Sequence, residues 1–173
     1  MIHFNTWACL MAILFIQLTS PAAAQETPLA KAGIDIIPYP RQVKLNGGDF
    51  VFKDNAIIAV DRNASEEDRF TAAELVKQLN DKLHIRATVQ TNAADGSIIL
   101  TRKGADKKNG SESYSLTADP GHVTVRANAG AGLFYGMQTL LQLIGNNSSG
   151  AFIKGMDIVD WPDTKTRAVH YDT

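Results

Sequence analysis

Apolar residues recur at helical spacing in two stretches of the chain and alternate through most of the rest. In residues 129–144, A-G-A-G-L-F-Y-G-M-Q-T-L-L-Q-L-I, Leu133, Met137, Leu140, Leu141 and Ile144 fall at i, i+4, i+7, i+8 and i+11. That spacing places them on one face of a helix of about four turns. Gly130 and Gly132 stand at its start, and Gly145 follows its last apolar residue, where a C′ glycine is expected. Gly136 in the interior costs about 1 kcal/mol of helix propensity relative to Ala, so its presence predicts that another backbone packs close. An earlier helix is predicted to start at Asn63 or Ser65, each with an acidic residue three positions on, Glu66 or Asp68. Ala72, Leu75, Val76, Leu79 and Leu83 then repeat at helical spacing. Glu66, Glu67 and Asp68 occupy the first turn, where the helix dipole favours them, and read as a helix start rather than a metal site.

The alternating stretches read as strands. In residues 42–52, Val43 and Leu45 precede Asn46-Gly47-Gly48, and Phe50 and Phe52 follow it, the pattern of a hairpin with a positive-φ turn. Residues 56–60 (A-I-I-A-V), 85–90 (I-R-A-T-V-Q) and 97–101 (S-I-I-L-T) are further strands. A second hairpin joins 114–118 to 123–127 across Asp119-Pro120-Gly121-His122. Residues 145–150 read as a turn-rich loop and 155–159 as a short apolar strand. The order of strands, helix, strands, helix, strand predicts an α+β fold, a mostly antiparallel β-sheet with two helices packed on one face.

Composition narrows the class. The chain has 173 residues, 45% hydrophobic and 20% charged, with a formal net charge of −1. That is enough for one domain with a proper core, and there is no basic surplus for nucleic acid or acidic lipid. The loop 103–110 carries three lysines without an aromatic platform, which argues against single-stranded nucleic acid. The first 24 residues hold no Asp, Glu, Lys or Arg; the apolar run 7–16 and Ala22-Ala23-Ala24 match a signal peptide covering 1–24. The protein is therefore expected to be exported, periplasmic or at the cell surface, with no membrane span after cleavage. Cys9, the only cysteine, falls inside that segment, so no thiolate site is expected in the mature chain. Residues 25–33 read as a polar linker.

Candidate chemistry gathers in one place. In R-A-V-H-Y-D (167–172), read as a strand, Arg167, Val169 and Tyr171 face one way, and Ala168, His170 and Asp172 the other. A His–Asp pair on one face can orient a general base or bind a metal, or it can be a polar pair at a strand end. His84 falls at a helix end and His122 in a turn, as structural or exposed residues. No phosphate-binding loop, dinucleotide fingerprint, zinc spacing or nucleophile elbow is present, and no metal or cofactor is expected.

Several stretches carry a resemblance. G-L-F-Y-G-M-Q-T-L-L-Q-L (132–143) resembles the second helix of the small α/β domain that precedes the catalytic barrel in β-N-acetylhexosaminidases of glycoside hydrolase family 20. I-I-P-Y-P-R-Q-V (36–43) resembles the opening of that domain, and E-S-Y-S-L-T followed by V-T-V-R-A resembles the strand pair that leads into the helix. Asp160-Trp161-Pro162 matches the D-x-P segment that ends it, and Arg167 and Asp172 match the start of the first barrel strand. Ala168 departs from the family's usual Gly, and the family's second Arg would fall two residues beyond Thr173. The resemblance implies a domain over 34–160 and, over 161–173, the first strand of a truncated (β/α)8 barrel. It further implies that the parent hydrolyses terminal N-acetylhexosamine from glycans with retention. In that mechanism the substrate's acetamido carbonyl is the nucleophile, and the Asp and Glu that assist it are not among these residues.

Arg167, His170 and Asp172 would stand on the substrate side of the barrel, the domain itself would pack against that barrel, and the isolated chain would be inactive. Two other readings stay open. One is the N-terminal domain of another exo-glycosidase, O-GlcNAc-hydrolase-like or α-glucuronidase-like. The other is a non-catalytic glycan-binding or scaffold module, for which Trp161 is the only Trp after the expected cleavage site.

Overall fold

The computed structural model describes residues 27–164; the expected signal peptide and Arg167, His170 and Asp172 lie outside them. In chain order the elements are α1 (Pro28–Lys31), β1 (Gln42–Leu45), β2 (Phe50–Val51), β3 (Ala56–Val60), α2 (Glu66–Leu83), β4 (Ala87–Gln90), β5 (Ser97–Thr101), β6 (Tyr114–Ala118), β7 (His122–Ala127), α3 (Gly130–Gln142), β8 (Gly145–Asn147), β9 (Gly150–Ile153) and β10 (Met156–Asp160). A seven-stranded sheet runs β1-β10-β6-β7-β5-β3-β4, and a small second sheet runs β2-β9-β8. Five of the eight pairings are antiparallel, so the α+β architecture with a mostly antiparallel sheet holds. The three parallel pairings cluster at β7-β5-β3-β4, around the crossover helix α2.

Both helices lie on one face of the large sheet. The register sets Leu116 opposite Val125 and Ile158 opposite Leu116, and these residues are buried. Leu75 and Leu79 from α2, and Leu133, Met137 and Leu140 from α3, complete that core and are fully buried. The alternate positions, Thr117 opposite Thr124 and Ser115 opposite Arg126, carry the polar side chains of the other face. Strand alternation and helical periodicity thus converge on one apolar layer.

The start of α2 follows its cap. Ser65, in extended conformation, accepts a hydrogen bond at Oγ from the Asp68 backbone N–H. Arg102, just past β5, ties that turn to the sheet. Its Nε donates to Asp68 Oδ1 at 3.0 Å, and its Nη2 donates to Asp68 Oδ1 at 2.8 Å, Glu67 Oε2 at 3.1 Å and Ser65 Oγ at 3.0 Å. The hydrogen bond to Asp68 is the main reason the Arg102 guanidinium is held more firmly protonated than usual. The acidic first turn is therefore a helix start bound by an arginine. At the far end, His84 adopts the left-handed conformation (φ 56°) and its N–H bonds to the Leu79 carbonyl.

Four local expectations differ from the structure. Residues 42–52 do not form a hairpin: β1 pairs with β10 and β2 with β9, in different sheets. The chain parts at Asn46, whose N–H bonds to the Gly155 carbonyl 109 positions away rather than to its own neighbours. Gly145 is not a C′ glycine but the first residue of β8; the Phe152 ring, 3.0 Å from where a Cβ would stand, explains the missing side chain. The loop expected over 145–150 is the β8–β9 hairpin with its turn. Residues 27–33, read as linker, contain α1, capped by Thr27, and its Leu29 is fully buried in the core.

The glycines of α3 mark a close approach. A Cβ on Gly132 would overlap the Ser113 carbonyl oxygen and come within 3.1 Å of that of Ser111. One on Gly136 would overlap Val125 Cγ1 and lie 3.0 Å from the Tyr114 ring. The close backbone is thus at Gly132, while Gly136 makes room for strand side chains. Gly132→Ala is expected to destabilise the fold by about 2 kcal/mol despite its gain in helix propensity, because a backbone carbonyl cannot yield. Gly47→Ala, with open space around it, should stay within about 0.5 kcal/mol of wild type; a urea titration of both variants checks the pair.

Candidate functional site

Residues 160–164 carry the chain past β10, and a cleft of about 600 Å³ opens beside them. One wall is the segment before β1, with Ile37, Tyr39 and Arg41; another is α3, with Tyr135, Gln138, Thr139 and Gln142; the third is Asp160 to Thr164. Ile37 is 84% exposed and Tyr39 41% exposed, so this rim offers apolar surface to whatever lies above it. The Ile37 N–H donates to Gln142 Oε1 at 3.0 Å, which fixes the pre-β1 segment to the end of α3.

Arg41 binds the exit segment by four different contacts. Its backbone N–H donates to Asp160 Oδ1 at 3.2 Å, and its Nε to the Trp161 carbonyl at 3.0 Å. Its Nη2 pairs with Asp163, and its guanidinium lies 5.1 Å from the centroid of the Trp161 ring. The Asp163 carboxylate is 86% exposed, so the ion pair by itself contributes at most about 1 kcal/mol.

Asp160 is held from the other side by Tyr114. The Tyr114 hydroxyl donates to Asp160 Oδ2 at 3.3 Å and lies 2.5 Å from Thr139 Oγ1. Tyr114 and Thr139 are both buried. Burial is the main reason the Tyr114 phenol is pushed well above the ordinary tyrosine range; the negative charge of Asp160 adds to this, and the Thr139 hydrogen bond opposes it. A phenol that stays neutral has one proton to give. The arrangement is then a directed chain, from the Thr139 hydroxyl to the Tyr114 oxygen and from the Tyr114 hydroxyl to the Asp160 carboxylate. It couples α3 to the exit through β6. Its chemistry is positional: the Tyr114 phenol keeps its proton and gives it to the Asp160 carboxylate as a hydrogen bond.

A second surface feature lies on the helical layer. Phe70, Phe134 and Tyr135 line an apolar groove of about 630 Å³ between the first turns of α2 and α3. Phe70 is 62% exposed. Among the described residues no group of three or more His, Cys, Asp or Glu could hold a metal ion, and no helix is long and apolar enough to cross a membrane.

Four of the five stretches that carry the sequence resemblance meet at the cleft: the P-Y-P segment, the strand holding Tyr114, the glycine-rich helix and D-W-P. A model of glycosyl hydrolase family 20, domain 2, matches residues 33–161. The chain belongs to glycosyl hydrolase family 20.

The family 20 domain is 31% identical over 143 residues to a β-hexosaminidase of Porphyromonas gingivalis, covering 79% of this chain and 18% of that protein. Among solved structures it resembles a mutant Streptomyces plicatus β-hexosaminidase in complex with the product GlcNAc. The TM-score is 0.66 and the identity 30%, over 83% of this chain and 28% of that one. The β-N-acetylhexosaminidase of Streptomyces coelicolor A3(2) gives a TM-score of 0.66 at 29% identity, over 75% of this chain and 27% of that one. The chain spans less than a third of the length of each of these relatives.

Arg41, Tyr114 and Thr139 were missed as site residues by sequence reasoning. Arg41 sits within a noted motif, but its partner Asp160 is 119 residues away and only D-W-P hinted at a junction. Tyr114→Phe is expected to cost about 1–2 kcal/mol in a thermal or urea melt, since it leaves Thr139 and Asp160 each one partner short. The same variant should leave unchanged the phenolate absorbance gained near about pH 10, because Tyr114 is not ionised there in the folded wild type.

Proposed function

We propose that this chain is the non-catalytic N-terminal domain of an exported β-N-acetylhexosaminidase that removes terminal N-acetylhexosamine from glycans. The observation that carries the reading is the domain 2 match across residues 33–161. The β-hexosaminidase relatives, several times longer than this chain, support it. Hydrolysis would be retaining and substrate-assisted, with catalytic residues on a barrel that comes after the domain. Residues 161–173 would begin that barrel, with Arg167, His170 and Asp172 on its first strand, toward the substrate. The apolar run and A-x-A site of residues 1–24 support export.

The domain's own work is mechanical. The exposed face of the helical layer, with Phe70 and Tyr135 around the groove between α2 and α3, is apolar enough to seat a second globular unit. The outer face of the sheet at β6 and β7 carries Ser115, Thr117 and Arg126, which suit solvent. The close approach of the helices to the sheet makes the layer a rigid support.

Two outcomes are expected. The full-length protein hydrolyses a chromogenic N-acetylglucosaminide, whereas a purified fragment of residues 27–164 gives no turnover above buffer; activity in the fragment overturns the reading. Phe70→Asp changes the stability of the fragment by no more than about 0.5 kcal/mol, as an exposed substitution should. In the full-length protein it costs about 1–2 kcal/mol of apolar burial, read as an unfolding midpoint at lower urea than wild type.

A further inference from the structure

The contacts of Arg41 exceed what a surface ion pair requires. One residue engages three of four consecutive exit residues by means that differ in direction: a backbone N–H to the Asp160 carboxylate, Nε to the Trp161 carbonyl, Nη2 to the Asp163 carboxylate, and the guanidinium face toward the indole. A carbonyl contact and a ring contact on the same residue fix both the path of the backbone and the rotation about it. The guanidinium suits this because it is planar and its donors point along fixed, diverging directions. From the opposite side Asp160 is held by Tyr114, itself bonded to Thr139 of α3. The exit is therefore fixed to two elements at once, the segment entering β1 and the helix whose exposed face lines the cleft.

We propose that Arg41 is a positioning residue that sets the direction in which the chain leaves the domain, and so the placement of the segment bearing Arg167, His170 and Asp172 relative to α3. The inference rests on the reading that a catalytic barrel comes next in the chain. Arg41 itself touches no substrate. Its work is to hold residues 160–163 so that the next strand enters the barrel in register with the surface on which the barrel rests. Charge alone does not meet this requirement, so lysine does not replace it: the three donors of an ammonium radiate from one freely rotating nitrogen, and it has no flat face to lay on the indole.

The experiment uses the full-length protein with Arg41→Ala, Arg41→Lys and Trp161→Leu. Cleavage by trypsin after Lys165 or Arg167 reports local opening of the exit, and steady-state hydrolysis of a chromogenic N-acetylglucosaminide reports placement of the strand beyond it. All three variants are expected to be cut at these sites about tenfold faster than wild type, the change in local opening that loss of one such set of contacts produces. KM is expected to rise about threefold or more with kcat within about twofold, the pattern of weakened uniform binding. Wild-type cleavage rates in Arg41→Ala, or in Trp161→Leu where Arg41→Ala does not fold, overturn the proposal. So does an Arg41→Lys protein as protected as wild type, since charge would then suffice. Faster cleavage with KM unchanged also overturns it, because the contact would then be a local staple only. A wild-type protein without turnover defeats the functional reading instead, and the cleavage rates still decide whether Arg41 clamps the exit.

Discussion

The structure depends on how closely α3 lies on the sheet. Gly132 and Gly136 remove the side chains that would meet the Ser113 carbonyl and the Val125 and Tyr114 side chains, so the helix settles lower than an ordinary helix–sheet contact permits. Their cost in helix propensity, about 1 kcal/mol each, is set against the burial of Leu133, Met137 and Leu140. At that height Thr139 reaches the Tyr114 hydroxyl. Had the helix ridden higher, Tyr114 would lack one of its partners, and the chain of hydrogen bonds from α3 to Asp160 would be broken.

That contact sets the geometry of the exit. β10 lies between β1 and β6, so Asp160 emerges beside Tyr114 on one side and the start of β1 on the other. The Arg41 backbone and side chain close over the segment from the β1 side. In the proposed reading, a non-catalytic domain governs in this way the direction of the chain that leaves it. The motifs of family 20 domain 2 that are recognisable in the chain are the parts that make this junction, together with the helix that packs beneath it. Conformational rigidity is the common property: a buried neutral phenol, a multiply bound guanidinium, and glycines at the point of closest approach.

Local sequence was enough to specify the two helices, the β6–β7 hairpin and the apolar layer between helices and sheet, and it narrowed the first cap to Asn63 or Ser65. Each is written in contacts between residues a few positions apart: a side chain reaching the backbone three residues on, a spacing of three and four, an alternation across a tight turn. The sequence also carried the family, through short runs whose meaning is a likeness rather than a derivation. The candidate residues beyond Thr164 rest on that likeness and on the strand alternation of R-A-V-H-Y-D. Which strand joins which was settled by tertiary contacts. Asn46-Gly47-Gly48 has the local chemistry of a hairpin turn, yet β10 offers Ile158 and Met156 to Val43 and Leu45, and β9 offers Ile153 to Phe50. Strand partners more than 100 residues away leave no period in the chain. Gly145 answers the ring of Phe152, its cross-strand partner in the β8–β9 hairpin, rather than a left-handed turn. Distance along the chain hides the clamp as well, because Arg41 and Asp160 become neighbours only when the first and last strands of the domain pair.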